Sequence, residues 1–354
     1  GHVKSILMSG YYGFDNSGDD AILKAIVKDL KEKDNELNIT VLSNNPAKTE
    51  MMYPVKAVNR FSLREVVATI RRTSLLISGG GSLLQDVTST RSLLYYLAVM
   101  TLAKLFRKPV MVYANGIGPI NKKLNRILTR IVLNNVDLIT LRDENSKNVY
   151  VTADPVFTLN PADREVIDHI YIKENIPKDK PLIGISIREW KKADNLVEII
   201  AKSIDYMSNT YGANIVLIPM QYPEDLGISR EIMELARSNN CYILNGKYSV
   251  EEIMGIIKDL DLIIAMRLHA LIYAATQAVP MVGLVYDPKV VGLLGSIGIK
   301  HMNNVEDLVY EELIFNINNV WENRELQINE LTKQNEHLKN KALENVTLAY
   351  EKLR

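Results

Sequence analysis

The sequence predicts an α/β fold in which two parallel sheets are each covered by helices on both faces. Two observations lead to this prediction. Short apolar runs rich in β-branched residues alternate with helix-like segments as far as Leu141, and the same alternation starts again at Leu182. Such apolar runs are typical of strands that are buried on both faces of a parallel sheet.

Each series contains five predicted strands and four predicted helices. The strands are Val3–Met8, Ile39–Ser43, Leu75–Ser78, Val110–Ala114 and Leu138–Leu141, then Leu182–Ile187, Ile215–Pro219, Cys241–Leu244, Leu262–Ala265 and Met281–Val285. The helices are Asp19–Lys33, Leu63–Thr73, Arg91–Phe106 and Lys122–Asn134, then Asp194–Tyr211, Ile228–Ser238, Val250–Lys258 and Leu268–Gln277. This repetition predicts two Rossmann-like domains that face each other across a cleft.

Four segments follow from this pattern. Residues 1–160 are predicted as the N-terminal domain, 161–180 as a helical segment with a linker, 181–304 as the C-terminal domain and 305–354 as a C-terminal helical segment. The last segment is charged and lacks glycine and proline. We expect its sparse apolar face to pack against its own domains rather than form a coiled coil; this face consists of Leu326, Leu331, Leu338, Ala342 and Val346.

Composition excludes several functional classes. The 354 residues include 42 basic and 42 acidic side chains, and this balance argues against a general nucleic-acid-binding protein. A single cysteine, Cys241, excludes an internal disulfide and fits a reducing cytoplasm. No apolar stretch approaches the roughly 20 residues that span a bilayer, and no secretory signal precedes the first strand.

The most informative feature is the junction at Arg267 and His269. These residues follow the apolar strand Leu262–Ala265 and open the next helix. Ligands of open α/β sheets bind beyond the carboxyl ends of strands, where helix N-termini favour anions. We therefore expect a cation and a proton carrier to face an anionic substrate. The alternative is that Arg267 pairs with a structural carboxylate and His269 is an ordinary interior histidine.

A second arginine, Arg188, follows another strand of the same domain. Two guanidinium groups at strand ends of one domain are suited to binding a small dianion or trianion in a bidentate manner. Metal chemistry is poorly supported because no cluster of His, Asp and Glu has coordinating spacing. Nucleophilic catalysis by Cys241 is not expected either, since nothing near it in the sequence would activate the thiol.

The segment from Gly10 to Asp20 lies between the first strand and the first helix. Its glycine spacing does not match a dinucleotide motif, and the Gly-Lys-Ser/Thr ending of a P-loop is missing. Carboxylates, amides and nearby tyrosines suit sugar hydroxyls better than phosphates. A helix N-cap at Ser17 or Asp19 is the alternative, and it is compatible with ligand binding.

Three consecutive glycines, Gly79 to Gly81, follow the third strand. We expect them to form a ligand-lining loop, because a helix cap alone would need only one glycine. Further loops at strand ends begin at Asn115 and Ala153.

Together these motifs resemble the polysaccharide pyruvyltransferase family, and most of all its CsaB type. The residues that carry the resemblance are Gly10-Tyr11-Tyr12-Gly13, Asn16, Gly18-Asp19, Ser78 to Asp86, Gly116-Ile117-Gly118-Pro119, Leu141-Arg142-Asp143-Glu144 and Met266-Arg267-Leu268-His269-Ala270. They occur in the family's order along nearly the whole chain.

The resemblance implies a fold similar to that of B-type glycosyltransferases. It also implies that phosphoenolpyruvate donates a pyruvyl group, without a cofactor, to form a 4,6-ketal on β-linked N-acetylmannosamine. The implied acceptor is a lipid-linked disaccharide diphosphate of ManNAc and GlcNAc at the cytoplasmic membrane face, where a secondary cell wall polymer that anchors S-layer proteins is made.

The chain departs from the family pattern at one place. The family continues with a helix and a loop after the residue corresponding to Asn148, whereas here the strand-like segment from Val149 follows at once. Either the helix and loop are deleted, or residues are missing from the numbering at this point. This departure affects the expected geometry around Arg142.

We expect Arg188 and Arg267 to hold the donor, with Leu268 beside them and His269 as the proton carrier. His269 would protonate C3 of the donor or stabilise the departing phosphate. The acceptor side is expected to include Tyr11, Gly13, Asp15, Asn16, Gly18, Asp19, Gly80, Gly81, Gln85 and Asp86. Asp15, Asp19 and Asp86 are the three candidates for the base.

Two basic segments with interleaved apolar residues, 104–108 and 122–130, are candidates for contact with anionic headgroups. The alternative is that they are ordinary solvated helix ends.

Two other functions are alternatives to the pyruvyltransferase hypothesis. One is a sugar-nucleotide glycosyltransferase of the same architecture, which would need a base pocket and a ribose-binding carboxylate such as Asp287. The other is a non-catalytic carbohydrate-binding protein.

Overall fold

The computed structural model of the chain divides into two compact units. The first unit comprises Gly1–Thr158 together with Leu338–Arg354, and the second comprises Leu159–His337. The described residues are 3–142, 150–151, 153–299 and 301–353. The departure from the family pattern after Arg142 falls on residues 143–149, which lie outside the described residues.

The first unit contains a seven-stranded sheet. Its strands are β1 (Ser5–Ser9), β2 (Asn38–Ser43), β3 (Lys56–Asn59), β4 (Leu75–Leu84), β5 (Val110–Ile117), β6 (Leu138–Leu141) and β7 (Tyr150–Val151). Its helices are α1 (Ser17–Lys33), α2 (Pro46–Met52), α3 (Leu63–Arg72), α4 (Thr90–Leu105) and α5 (Lys123–Asn134), followed by a short 3₁₀ helix at Pro155–Thr158.

The strands of this sheet pair in parallel in the order β3-β2-β1-β4-β5-β6-β7. The order reverses between β1 and β4, where Ser9 lies opposite Ser78. In a doubly wound sheet, the loops after these two strands leave in opposite directions and open a crevice between them. The loop that follows Ser9 and the end of β4 therefore lie at the switch point, where ligands bind in such folds.

The second unit repeats this arrangement. It begins with α6 (Arg164–Lys173) and continues with β8 (Leu182–Ser186), α7 (Leu196–Tyr211), β9 (Asn214–Leu217), α8 (Leu226–Leu235), β10 (Cys241–Ile243), α9 (Val250–Lys258) and β11 (Leu262–Ala265). It then contains α10 (Leu268–Thr276), β12 (Met281–Val285), α11 (Pro288–Ser296), β13 (Met302–Asn304) and α12 (Tyr310–Glu322), and the last helix of the chain is α13 (Arg324–Lys352).

The order of the second sheet is β10-β9-β8-β11-β12-β13, again with parallel pairing throughout. Its switch point lies between β8 and β11, where Ser186 is opposite Ala265. The two sheets therefore have the same winding, and the α/β fold with two Rossmann-like sheets and a C-terminal helix is confirmed.

The prediction that Gly79 to Gly81 form a loop was wrong. These glycines lie inside β4, which continues as far as Leu84 and shifts register with β5 after Gly81. A Cβ on Gly79 would lie 2.5 Å from the Tyr12 hydroxyl, and one on Gly80 would lie 2.0 Å from Cγ2 of Ile22 in α1. Gly80 and Gly81 also have positive φ angles, +37° and +80°. The close packing of α1 and the positive φ angles before the register shift thus require glycine here.

The C-terminal helix α13 is anchored in the first unit by its last turns. Asn345 is fully buried; its side chain accepts a hydrogen bond from Oγ1 of Thr140 and donates to the carbonyl of Ala153. Ala342 and Val346 are buried as predicted, whereas Leu326 is 58% exposed and does not belong to the packed face. Within the described ranges, no helix is both long enough and apolar enough to cross a membrane.

We predict that Gly80→Ala destabilises the chain by about 2–4 kcal/mol, because the new methyl group overpacks against Ile22 and strains a left-handed backbone. Gly227→Ala is the matched control, since a Cβ there has no neighbour within 4 Å. The measurement is the urea midpoint of unfolding followed by circular dichroism. Equal midpoints for the two variants would contradict the packing explanation.

Candidate functional site

The switch point of the second sheet carries Arg188 and Arg267. Each arginine comes two residues after a paired strand residue, Ser186 in β8 and Ala265 in β11. The N–H of Met266 donates to the carbonyl of Ser186 at 2.9 Å, so the strands remain in register up to the arginines. Neighbouring strands lie about 4.8 Å apart, and the two guanidinium groups therefore start from adjacent backbone positions. The sequence predicted that both arginines follow strands of one domain, and the structure shows that these two strands are neighbours.

Aromatic rings surround the Arg188 side chain. Its guanidinium lies over the ring of Tyr286 at 5.1 Å and over that of Trp190 at 5.6 Å, and Nη1 donates to the Tyr286 hydroxyl at 3.3 Å. The Nε atom is buried and has no hydrogen-bond partner among the described residues. A buried donor of this kind usually binds an ordered water or a ligand. Arg188 is thus a well-positioned cation with donor capacity left for an anion.

Arg267 forms a bidentate ion pair with Asp225. Its Nε donates to Oδ2 at 3.0 Å and its Nη2 to Oδ1 at 2.6 Å, and Asp225 is almost fully buried. The alternative in which Arg267 pairs with a structural carboxylate is therefore confirmed as far as the ion pair is concerned. The pair uses one edge of the guanidinium and fixes its plane. Nη1 lies on the opposite edge, so the pairing orients Arg267 without using all its donors.

Leu268 and His269 form the first turn of α10, with Arg267 in the N-cap position. The first N–H groups of a helix have no partner within the helix, and they carry the positive end of its dipole. Both residues are half-buried, and the His269 ring lies 6.0 Å from that of Tyr273. The start of α10 thus combines backbone donors with an imidazole. Arg267 precedes it directly in the sequence, and Arg188 follows the strand that pairs with β11.

The switch point of the first sheet is built differently. The loop after β1 contains Gly13, whose φ angle is +84° and whose Cβ would lie 2.3 Å from Oγ of Ser43. The alternative in which Ser17 or Asp19 caps α1 is wrong, because the cap is Asn16, whose Oδ1 accepts from the backbone N–H of Asp19. Asn16 precedes the first helical residue and is a preferred capping residue. Gly18 is buried within the first turn of α1.

Asp19 has the most unusual environment among the three acidic candidates. Burial of its carboxyl group, reinforced by the charge of Asp20, raises the pKa of Asp19 to about 7. Arg142 opposes this shift, and Asp154 adds to it. The missing side chain of Gly81 makes room for the carboxyl group, since a Cβ there would be 3.2 Å from Oδ1 of Asp19. A carboxyl group with a pKa near neutrality is suited to general base catalysis.

A buried ion pair lies near Asp19. Nη1 of Arg142 is 3.3 Å from Oδ2 of Asp154, both side chains are almost completely buried, and Nη2 of Arg142 donates to Oγ of Ser82 at 2.8 Å. A Cβ on Gly116 would lie 3.1 Å from Nε of Arg142, so this glycine lets the guanidinium approach the strand closely. The pair places a fixed cation at the carboxyl edge of β6.

Asp86 and Gln85 have structural partners. Asp86 accepts from the backbone N–H groups of Asn121 and Lys122 and from Nδ2 of Asn125, and these bonds lower the pKa of Asp86 to about 2. It thereby links the end of β4 to the start of α5. Gln85 accepts from the backbone N–H of Thr88 and donates to the hydroxyl of the same residue. A carboxylate with such a low pKa is a weak base at neutral pH.

Asp15 is exposed and forms an ion pair with Lys48, from a backbone with positive φ. Tyr11 stacks on Phe14 with ring centroids 4.2 Å apart. Arg60 holds this loop in place through two contacts. Its Nη1 donates to the carbonyl of Gly10 at 3.0 Å, and its guanidinium lies 4.9 Å from the centre of the Phe14 ring. The Tyr11–Phe14 stack is the aromatic surface of the first switch point.

Sequence reasoning did not assign Arg60, Arg142, Asp154 or Asp225 to the site. Arg142 has the same signal as the assigned arginines, a position directly after an apolar strand. Arg60 follows β3, an edge strand with exposed ends that the sequence pattern did not predict. Asp225 lies in the loop before α8, and no sequence signal connects it with Arg267. Only the fold brings these two residues together.

The two units carry different chemical groups at their switch points. The second unit offers two guanidinium groups, a helix N-terminus and an imidazole, which suit a small anion with a carboxylate and a phosphate. The first unit offers a stacked aromatic pair and a carboxyl group with a pKa near 7, which suit a polyhydroxylated acceptor.

Burial raises the pKa of Cys241 to about 12, so its thiol stays protonated at neutral pH.

Comparison with solved structures shows the fold. The chain is similar to UDP-GlcNAc 2-epimerase from Neisseria meningitidis bound to UDP-GlcNAc, with 14% identity, 99% of each chain covered and a TM-score of 0.66. It is also similar to a glycosyltransferase from Rickettsia africae ESF-5, with 12% identity, 100% of this chain and 99% of that chain covered, and a TM-score of 0.62. The architecture is therefore that of B-type glycosyltransferases and epimerases.

Comparison with sequences is more specific. The chain is 20% identical over 395 residues to the amylovoran biosynthesis protein AmsJ of Erwinia amylovora, which covers 90% of this chain and 92% of that protein. The family described as polysaccharide pyruvyl transferase matches residues 16–288, which include Asn16, Asp19 and the whole second switch point. The chain therefore belongs to the polysaccharide pyruvyl transferase family.

Proposed function

We propose that this transferase moves the pyruvyl group of phosphoenolpyruvate onto two hydroxyl groups of a polysaccharide precursor and releases phosphate. The observation that carries the proposal is the pairing of β8 with β11, which sets Arg188 and Arg267 at equivalent positions beside the N-terminus of α10. Phosphoenolpyruvate carries a carboxylate and a phosphate, and two fixed guanidinium groups match these two anionic groups.

Three proton movements accompany the proposed reaction. Protonated His269 delivers a proton to C3 of the donor, while one acceptor hydroxyl forms a bond to C2 and loses its proton. The second hydroxyl then forms a bond to C2 and loses its proton as the C2–O bond to phosphate breaks. The phosphate leaves with the electrons of that bond and takes up one of the two released protons, and the other proton restores His269. Arg188 and Arg267 hold the departing charge throughout.

Asp19 is the proposed base for the acceptor hydroxyl. Of the three acidic candidates, Asp86 accepts three hydrogen bonds at the start of α5 and Asp15 is exposed beside Lys48. Only Asp19 combines partial burial with a pKa of about 7, which allows it to take a proton at neutral pH. The Tyr11–Phe14 stack supports an acceptor sugar at the same switch point.

The proposed acceptor is the lipid-linked diphosphate of a β-ManNAc-GlcNAc disaccharide, and the proposed product is its 4,6-ketal, as in the CsaB type. This finer assignment rests on the motif resemblance at both switch points. The test is incubation with phosphoenolpyruvate and this acceptor, followed by mass spectrometry and phosphate release. We expect a mass gain of one pyruvyl ketal that is absent in His269→Ala. Turnover with a sugar nucleotide instead would indicate a glycosyltransferase.

We predict that Arg188→Met raises the KM for phosphoenolpyruvate by about 10- to 100-fold, because a charge-assisted hydrogen bond to an anion is lost. Arg188→Lys keeps the charge but not the forked geometry, so an intermediate KM is expected. Lys191→Met is the matched control, because it removes an exposed cation from the following loop. The measurement is steady-state kinetics with varied phosphoenolpyruvate. An unchanged KM in Arg188→Met would argue against this donor site.

We predict that Asp19→Asn lowers kcat by about 100-fold or more and removes the rise of the rate with pH around 7 that we expect for the wild type. Asp19→Glu should retain part of the rate. Because the folded-state pKa is raised above its unfolded value, ionisation of Asp19 destabilises the fold as the pH increases through the interval between them. Asp19→Asn should therefore melt at a higher temperature than the wild type at pH about 8. A loss of both activity and stability would instead indicate a structural carboxylate.

A further inference from the structure

The helix α5 is oriented with polar residues toward the protein. Asn125 and Thr129 are one turn apart, and both are buried. Nδ2 of Asn125 donates to Oδ2 of Asp86 at 2.9 Å, and the same carboxylate accepts from the N–H of Lys122. The apolar contribution of α5 to the core comes from side chains that are only partly buried, such as Leu128 and Val132. Asp86 thus fixes the helix to the end of β4 through polar contacts.

The opposite side of α5 is apolar and exposed to solvent. Leu124, Ile127 and Ile131 are 66%, 44% and 55% exposed. Their spacing of three and four residues places them on one stripe of the helix, which is about 10 Å long. We call these three residues the α5 stripe. An exposed apolar stripe on a helix that already contacts its own core marks a surface for a partner.

Cations flank the α5 stripe. Lys123, Arg126 and Arg130 are exposed on the adjoining side of the helix, and Lys122 precedes it. Arg126 donates to the carbonyls of Ile120 and Asn121, and Lys122 donates to the hydroxyl of Thr90. In the described part of the chain, none of these four cations forms an ion pair with a carboxylate.

The positive charge extends well beyond the helix. Between Asp86 and Asp137 the sequence contains no acidic residue, whereas it contains eight basic ones: Arg91, Lys104, Arg107, Lys108, Lys122, Lys123, Arg126 and Arg130. Asp137 pairs with Lys104. This distribution contrasts with the whole chain, in which acidic and basic residues are equal in number. The stretch of chain that forms α4, β5 and α5 is therefore cationic, within a chain of zero formal net charge.

We propose that the α5 stripe and its flanking cations bind the surface of an anionic lipid bilayer. A helix with an apolar stripe, bordered by Lys and Arg and without acidic residues, is the pattern of helices that lie in the membrane interface. The apolar side chains enter the boundary between headgroups and acyl chains, and the cations contact anionic headgroups. The charge complementarity favours an anionic bilayer over a second copy of this neutral chain.

The start of α5 lies close to the first switch point. The helix begins after the carboxyl end of β5, at the same edge of the sheet as Asp19 and Gly81. Asp86 connects that edge directly to the start of α5. Membrane contact through α5 would therefore hold the first switch point close to the lipid surface, where a lipid-linked sugar presents its head group.

The test is cosedimentation of the full chain with vesicles of equimolar phosphatidylcholine and phosphatidylglycerol. We expect binding that weakens as salt is raised and is absent on phosphatidylcholine alone. Leu124→Gln/Ile127→Gln/Ile131→Gln and, separately, Lys123→Glu/Arg130→Glu should each weaken binding at least about tenfold. These substitutions are all on exposed positions, and circular dichroism checks that the variants are folded.

Ile172→Gln is the control for the apolar substitutions, because Ile172 is 74% exposed on α6 of the second unit. Lys333→Glu/Lys352→Glu is the control for charge reversal. Neither control should change vesicle binding. Equal vesicle binding by the wild type, the stripe variant and the charge variant would overturn the proposal. So would a loss of self-association in the stripe variant, measured by sedimentation velocity without vesicles, because the stripe would then be a contact between copies.

This inference does not depend on the proposed reaction. Vesicle binding is measured without donor or acceptor, so it can hold even where no pyruvyl transfer is found. Conversely, a water-soluble acceptor should be used by the stripe variant as well as by the wild type, because the α5 stripe takes no part in the proposed chemistry. The two proposals therefore fail in different experiments.

Discussion

The parallel pairing of the first and fourth strands of each sheet is the constraint on which the candidate site depends. Where β1 meets β4 and β8 meets β11, the connections leave toward opposite faces, and the carboxyl ends of these strands are not covered by their own helices. Side chains that follow these four strands are thus available to a ligand. Every residue that we assign to donor binding or to proton transfer lies at or directly beside one of these two switch points.

Local environment gives three similar carboxyl groups different properties. Hydrogen bonds from two backbone N–H groups and an amide hold Asp86 ionised, and burial beside Asp20 keeps Asp19 partly protonated at neutral pH. Asp15 lies in solvent beside Lys48. The same logic separates the arginines: Arg142 is buried against Asp154, Arg267 is oriented by Asp225, and Arg188 is held by aromatic rings. Residue type alone does not assign these roles.

A structural partner does not exclude a functional role for Arg267. The Asp225 pair removes the freedom of a long side chain before any ligand binds, which lowers the entropic cost of using the guanidinium. The same carboxylate, Asp86, that is unsuitable as a base connects the first switch point to α5. Structural contacts in this protein therefore position the groups that act.

The sequence by itself determined the α/β class, most strand and helix positions, and the strand-end arginines, because strand burial and helix periodicity are local patterns. It also placed acidic and glycine-rich segments next to the strands that later proved to form the first switch point. It did not determine that Gly79 and Gly80 lie within β4, because their need for glycine arises from the packing of Tyr12 and Ile22. Only the tertiary structure distinguished the environment of Asp19 from those of the other two carboxylates and paired Arg267 with Asp225, since burial and contacts between distant residues set both outcomes.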